Sequence, residues 1–390
     1  MIPEPQRTYL LELLKALGPA ADSFVVVGAQ AMKFVLEKAR ATKDIDFVLD
    51  VVGLRGEPVS IGKQLKELGY TVVEGSRNFQ FEKPIRDSAE SMRIEFMAPE
   101  EFKREKDFRV DVEDGIHARA CTGGSIAVVH SSVYELSGNL PDGSRFRGSI
   151  HVTKAPALVM LKLLALDDRY RNIRGPAEAR HDREEARTHA ADIIAIVSAQ
   201  ADRNQFKSDF TDLFPVDAAL GIRILEILNQ YFRESISPGL LVYEESLVAD
   251  KPVDRNTRRE VIAEIERAHA MMLGLLPRKE FYELLGALDE SCDVERNPRL
   301  VNEFLANLDQ TRTPIWDEAA VERLPSSAFG GAFKKGGSFT VSASEALKAL
   351  SAVERRLVRG QVQLCGQKLR SRTELAERFS RVFGGEAQPI

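Results

Sequence analysis

The chain has 390 residues, room for two or three domains at roughly 150 residues each, and its 44% hydrophobic and 29% charged content is that of an ordinary globular protein. A net charge of −5, from 54 basic and 59 acidic residues, excludes a protein that coats nucleic acid by bulk charge, although it leaves room for a local basic patch. No apolar run reaches the ~20 residues that span a bilayer, the amino-terminal stretch lacks a basic-then-apolar secretory pattern, and Cys121, Cys292 and Cys365 are too dispersed for a disulfide framework or a metal-ligand set. The expectation is a cytoplasmic protein with no membrane partner.

Residues 5–18 repeat apolar side chains at helical spacing and stop at Gly18-Pro19, which predicts a helix with a firm end. Residues 24–27 predict a β-branched strand, 30–38 a helix and 45–49 a second, buried strand. A helix over 61–68 and strands over 70–73, 77–82 and 91–97 follow, then a short helix at 99–103 and strands at 126–129 and 148–152, with a turn at 139–144 between them. From Lys154 the pattern turns helical: 155–170, 183–199, and further helices near 216–233, 258–276, 279–289, 343–358 and 372–383. The Gly-rich stretch 330–337 lacks the Gly-Lys-Ser/Thr ending of a P-loop and predicts a loop. Strands alternating with helices imply an α/β (α+β) core with a mixed sheet over 1–153, a helical segment at 154–204 and a mainly helical C-terminal region at 205–390.

The densest chemical information sits in Arg40-Ala41-Thr42-Lys43-Asp44-Ile45-Asp46-Phe47. Residues two apart on a strand share a face, so Asp44 and Asp46 would project side by side. Two close carboxylates repel and lose charge unless a cation sits between them, and a hard divalent ion with oxygen ligands resolves that conflict. Upstream, the strand over 24–27 meets Gly28-Ala29-Gln30 and passes into a helix, a cradle whose outward N–H groups and dipole favour anions.

An apolar strand, a Gly turn, a helix and then Asp-x-Asp on the next strand is the order that builds the nucleotidyltransferase superfamily, which this chain resembles. Arg40, Thr42, Asp44, Ile45 and Asp46 are similar to the Arg-x-Thr-x-Asp-Ile-Asp of its AbiEii/MenT-like branch, toxin-type nucleotidyltransferases, while Ala29-Gln30 stand where Gly or Ser follows the first Gly. The resemblance implies nucleotide binding by Gly28, Ala29, Gln30, Arg40 and Lys162, catalysis by Asp44, Asp46, Glu95, Lys162 and Asp192, and Mg²⁺ or Mn²⁺ held by Asp44, Asp46 and Glu95.

Each of the later residues has two readings. Glu95 interrupts an apolar strand and must find a partner: the third metal ligand, or Arg93 one pleat away. Lys162 lies among Leu and Met, where its ammonium either meets nucleotide phosphates, as the resemblance implies, or snorkels to water. Lys162, Ala165 and Arg169 match the family's Lys-x-x-Ala-x-x-x-Arg element. Asp192 matches the second acid of Lys/Arg-Asp-x-x-Asp-Leu, with His189 in place of the first, and pairs with Lys162 or Arg169 in either reading. Arg40 salt-bridges a carboxylate or reaches a phosphate, and Asp50 caps or turns the chain.

The implied activity is two-metal transfer of a nucleotidyl group from an NTP to a hydroxyl of an RNA (a tRNA among the candidates) or of a protein, in a toxin that an antitoxin protein would accompany. Two readings compete: a degenerate member that binds nucleotide or scaffolds without turnover, and a metal-dependent phosphohydrolase. A tRNA acceptor would place Arg169, Arg171 and Arg174 at the rim of a basic groove; a solvated helix end is the alternative for the same three residues.

Overall fold

Phe24 and three β-branched valines, all buried, make a strand that both of its neighbours can flank. The computed structural model describes residues 2–277 apart from 41, 43, 56, 87, 104–108, 173–174, 176–177, 215–217 and 250–253, together with 281–282, 350, 352, 354–355 and 357–358. Helix α1 (Gln6–Leu17) leads through a 3-10 turn (Gly18–Ser23) into β1 (Phe24–Val27), then α2 (Gly28–Val35), β2 (Asp44–Leu49), α3 (Val51–Leu54) and α4 (Ile61–Glu67). Strands β3 (Thr71–Val72), β4 (Gln80–Pro84) and β5 (Ser91–Pro99) follow, then a 3-10 turn (Glu100–Phe102), β6 (Arg109–Glu113), β7 (Ile116–Cys121), α5 (Gly124–Val129), β8 (Ser131–Asn139) and β9 (Arg145–Thr153). Six helices follow: α6 (Ala155–Arg171), α7 (Ala179–Ser198), α8 (Arg203–Thr211), α9 (Ala218–Phe232), α10 (Pro238–Val248) and α11 (Arg255–Leu275).

The sheet is mixed, as expected, and runs β3-β4-β5-β2-β1-β9-β8. Strand β2 lies antiparallel to β1 and parallel to β5, and β9 lies parallel to β1. The second edge of β5 is divided: β4 pairs with residues 91–95 and β7 with residues 97–99. One face of the central strands carries Phe24, Phe47, Phe81 and Phe96, packed ring against ring. On the other, Val27, Val48 and Met97 pack with Ala127 of α5 and Leu161 of α6.

Several local expectations change. Residues 126–129 are helix, within α5, not strand: Gly123 takes φ +78°, and an added Cβ at Gly124 would lie 2.9 Å from the Pro99 Cα, so two glycines start a helix against the sheet. A short apolar run cannot by itself tell a buried helix from a strand. Residues 77–79 form a turn and β4 starts at Gln80; Arg77 and Asn78 have positive φ, which ends any strand there. The β6–β7 hairpin, β8 and α8 were not foreseen, because their half-buried, polar-rich residues blur the apolar period; α10, a short apolar run after Pro238, was not foreseen either. Asp50 does cap: its carboxylate accepts from the N–H groups of Val52 and Gly53 at 3.1 Å each. The predictions at 330–337 and 372–383 lie outside the described residues, as do most of 279–289 and 343–358.

The chain divides into two compact units, Met1–Phe210 with Gln230–Gly274, and Thr211–Asn229 with Leu275–Ile390. The first holds the sheet and most of the described helices. In the second, Ile224, Leu225 and Leu228 are buried, and Tyr282 donates to the Leu225 carbonyl at 2.9 Å. Among the described residues no helix is long and apolar enough to cross a membrane.

Candidate active site

Register decides which side chains meet. Asp46 stands opposite Val27 on β1 and Glu95 on β5, and Asp44 stands opposite Arg93. Alternation along β2 leaves Asp44 exposed and Asp46 half-buried while Ile45 and Phe47 are fully covered from the other side. Directly after Val27 the chain turns through Gly28, at φ +63°. A Cβ added there would lie 2.1 Å from Asp46 Oδ2, so only glycine lets the start of α2 close over that carboxylate.

Glu95 is not paired with Arg93, which instead bridges to Glu82 at 3.2 Å. Its oxygens are engaged by two other neighbours: Gln80 Nε2 donates to Oε2 at 2.7 Å and Arg119 Nε to Oε1 at 2.7 Å. Arg119 reaches Glu95 because β7 takes over the edge of β5 where β4 leaves it. Burial, then Glu95 and Asp44, push the Asp46 carboxyl up to about 7, with Lys162 and Arg119 pulling the other way. Among the described residues no group of three or more His, Cys, Asp or Glu side chains is gathered so as to hold a metal ion.

A second cluster is built on the helices. Lys162, 5% exposed on α6, donates to Asp192 Oδ2 on α7 at 2.6 Å, and Arg40 Nε approaches Asp192 Oδ1 at 3.3 Å. Asp192 is 4% exposed and so has two cations on it, one of them the partly exposed Arg40. Arg169 takes a different acid, Asp182, at 3.3 Å. His189 lies among these charges; burial, then Lys162, Arg169 and Arg40, hold its pKa well below the usual histidine value, so it is neutral. Its Nδ1 is buried without a hydrogen-bond partner among the described residues.

Gln30, in the first turn of α2, is fully buried, and neither of its amide atoms has a hydrogen-bond partner among the described residues. An unpaired buried amide costs about 1–3 kcal/mol, so this side chain is held at a cost in stability. Ala29, buried beside it, brings no polar atom.

Arg119 and Gln80 are the neighbours that sequence reasoning missed. Neither lies near the Asp-x-Asp segment in the chain; the one available signal was a lone arginine inside the alternating stretch 116–121. Cys121, beside the same edge, is pushed up to about 11 by burial and remains a thiol, not a nucleophile. No protein-family model, no curated protein and no solved structure matches this chain.

Proposed function

We propose that the protein is a nucleotidyltransferase dependent on Mg²⁺ or Mn²⁺, moving a nucleotidyl group from an NTP to a hydroxyl of an RNA or a protein. The observation that carries this reading is the Asp46 carboxyl, packed under Gly28 at a strand-turn-helix junction and raised to about 7 beside Glu95 and Asp44. A lone structural acid gains nothing from two acidic neighbours. The donor set fits a hard divalent cation through Asp44 and Asp46, with Glu95 joining only if Arg119 and Gln80 release it. When bound, such a cation offsets triphosphate charge and acidifies the acceptor hydroxyl.

The chain's own residues supply the rest. The N–H groups at the start of α2, which has no side-chain cap, receive phosphate oxygens. Arg40, partly exposed beside Asp192, adds a guanidinium, and Lys162 fixes Asp192 so that Arg40 is held in place. In the reaction the acceptor oxygen forms a bond to the α-phosphorus as the bond to the β-phosphate oxygen breaks and pyrophosphate leaves. Incubation with each α-labelled NTP and total cellular RNA and protein should label one class of acceptor. Asp46→Ala should abolish labelling while the circular dichroism spectrum and melting temperature stay near wild type; full labelling by that variant defeats the reading.

One observation favours a second reading, a nucleotide-binding module without turnover: both Glu95 oxygens are engaged by Gln80 and Arg119. Calorimetric NTP binding with and without Mg²⁺, with no label transferred from any NTP, would select it.

A further inference from the structure

Arg174 lies outside the described residues, but the neighbouring arginines of α6 and α7 are engaged within the protein. Arg169 bridges to Asp182, Arg171 to Asp167 at 2.6 Å, Arg180 to Glu184 at 3.0 Å, and Arg183 and Arg187 both to Glu245. Four other arginines, scattered along the chain, converge instead on one open cleft of about 890 Å³. It lies between the first turns of α1, the turn from β4 to β5 and the tip of the β8–β9 hairpin, and Arg7, Arg86, Arg145 and Arg147 line it.

Charge on these four is unevenly compensated. Arg7 bridges to Glu4 at 2.6 Å and Arg147 to Glu135 at 2.9 Å. Arg86 and Arg145 are exposed and have no ion-pair partner among the described residues. The backbone that carries them is fixed to α1: the Arg86 N–H donates to Tyr9 Oη at 2.8 Å, and Thr8 Oγ1 donates to the Asn139 carbonyl at 3.0 Å. The hairpin turn is closed by Asp142, whose Oδ1 accepts from the N–H and hydroxyl of Ser144 at 2.8 and 2.6 Å. Phe146, half-buried, lies between Arg145 and Arg147 in sequence and lines the same cleft.

We propose that this cleft holds the sugar–phosphate backbone of a single-stranded RNA, with Arg86 and Arg145 on phosphates and Phe146 available for base stacking. Guanidinium groups carried on separate, tethered segments suit a chain of phosphates better than one ion, and an aromatic ring beside them is the usual companion of single-strand binding. A local positive cleft on a chain of net charge −5 also makes the contact site-specific rather than diffuse. The inference rests on the RNA-acceptor form of the proposed function, because it assigns that acceptor a docking surface.

The test is fluorescence anisotropy of a labelled oligouridylate with the full chain, as a function of salt. Replacing both residues, Arg86→Gln with Arg145→Gln, should weaken binding at least tenfold and lower the log–log salt slope by about 1.4, two single-strand phosphate contacts. Arg180→Gln, an equal surface substitution elsewhere, should leave both unchanged. Wild-type affinity in the double variant, an equal loss in Arg180→Gln, failure of the wild type to bind RNA, or displacement of RNA by inorganic phosphate at matched ionic strength would each overturn the proposal. Asp46→Ala separates the two ideas: RNA bound through the cleft with no transfer by any variant removes the enzyme and keeps the cleft. Transfer to RNA that is indifferent to Arg86 and Arg145 does the reverse.

Discussion

On one face of β1, β2 and β5, Phe24 meets Phe47 and Phe96 edge to face, with ring centroids 5.6 Å apart in each pair. On the other face stand Val27, three residues beyond Phe24, and Asp46 and Glu95, each one residue before its strand's ring. The same backbone thus carries an uncharged aromatic core and a charged pocket, separated only by the pleat. The aromatic face resists any slip in register, since a shift of one residue would turn Phe47 to the charged side and bury Asp46 among rings. The charged face depends on that register for its chemistry: Asp46 and Glu95 are neighbours because Phe47 and Phe96 are.

Removing the anchor should have the largest effect. Phe47→Ala deletes a fully buried ring and is expected to destabilise by about 3–5 kcal/mol in urea unfolding; a loss below 1 kcal/mol would show that the aromatic face does not fix the strands. Next comes the helix-borne pair. Lys162→Met leaves Asp192 buried with Arg40 as its remaining cation and should cost about 3 kcal/mol, much of it recovered when Asp192→Leu is added. Additive losses in the double variant would deny that the two groups act as a pair.

The most conservative substitution, and the most informative, is Asp46→Asn, whose effect appears only as a dependence on pH. The folded carboxyl keeps its proton to about 7, whereas the free acid ionises near 3.8. Between those values the folded state binds more protons, so the contribution of Asp46 is fully present below 3.8 and is lost as pH rises through about 7. Measured by urea unfolding in a chelator, Asp46→Asn should therefore gain on the wild type from acid to mildly alkaline pH and be the more stable protein above neutrality. Parallel pH profiles for the two would mean that Asp46 carries no repulsion from Glu95 and Asp44.

The central strands could be read from the sequence because each is a short apolar run with a consistent period: β1 over 24–27 matches residue for residue, and β2 differs from its predicted range by one residue. The long helix α6 was equally visible from Leu158 to Leu166, where only Lys162 breaks the apolar run. The edges were harder. Strands β6 and β8 are held by the hairpin partners that follow them, β7 and β9, while β7 also joins β5 across some twenty residues; the apolar run after Gly123 and Gly124 becomes helix where Gly124 packs on Pro99 and Gly123 on Met160 and Leu164. Among the candidate site residues, the carboxylates stood out by their spacing, whereas the engagement of Glu95 by Arg119 depended on β7 joining β5, which no local pattern records.

Sequence alone determined that Asp44 and Asp46 share one face of a buried strand, that a Gly turn precedes them, and that Lys162 and Asp192 interrupt apolar helices, because periodicity is a property of the local chain. Tertiary structure alone decided which charges meet: Glu95 with Arg119, Asp192 with both Lys162 and Arg40, and Arg86 with Arg145 across a cleft. The reason is physical. An ion pair or a cleft is fixed by distances of a few ångström between segments tens of residues apart, and those distances are set by strand order and helix packing, not by the residues that come into contact.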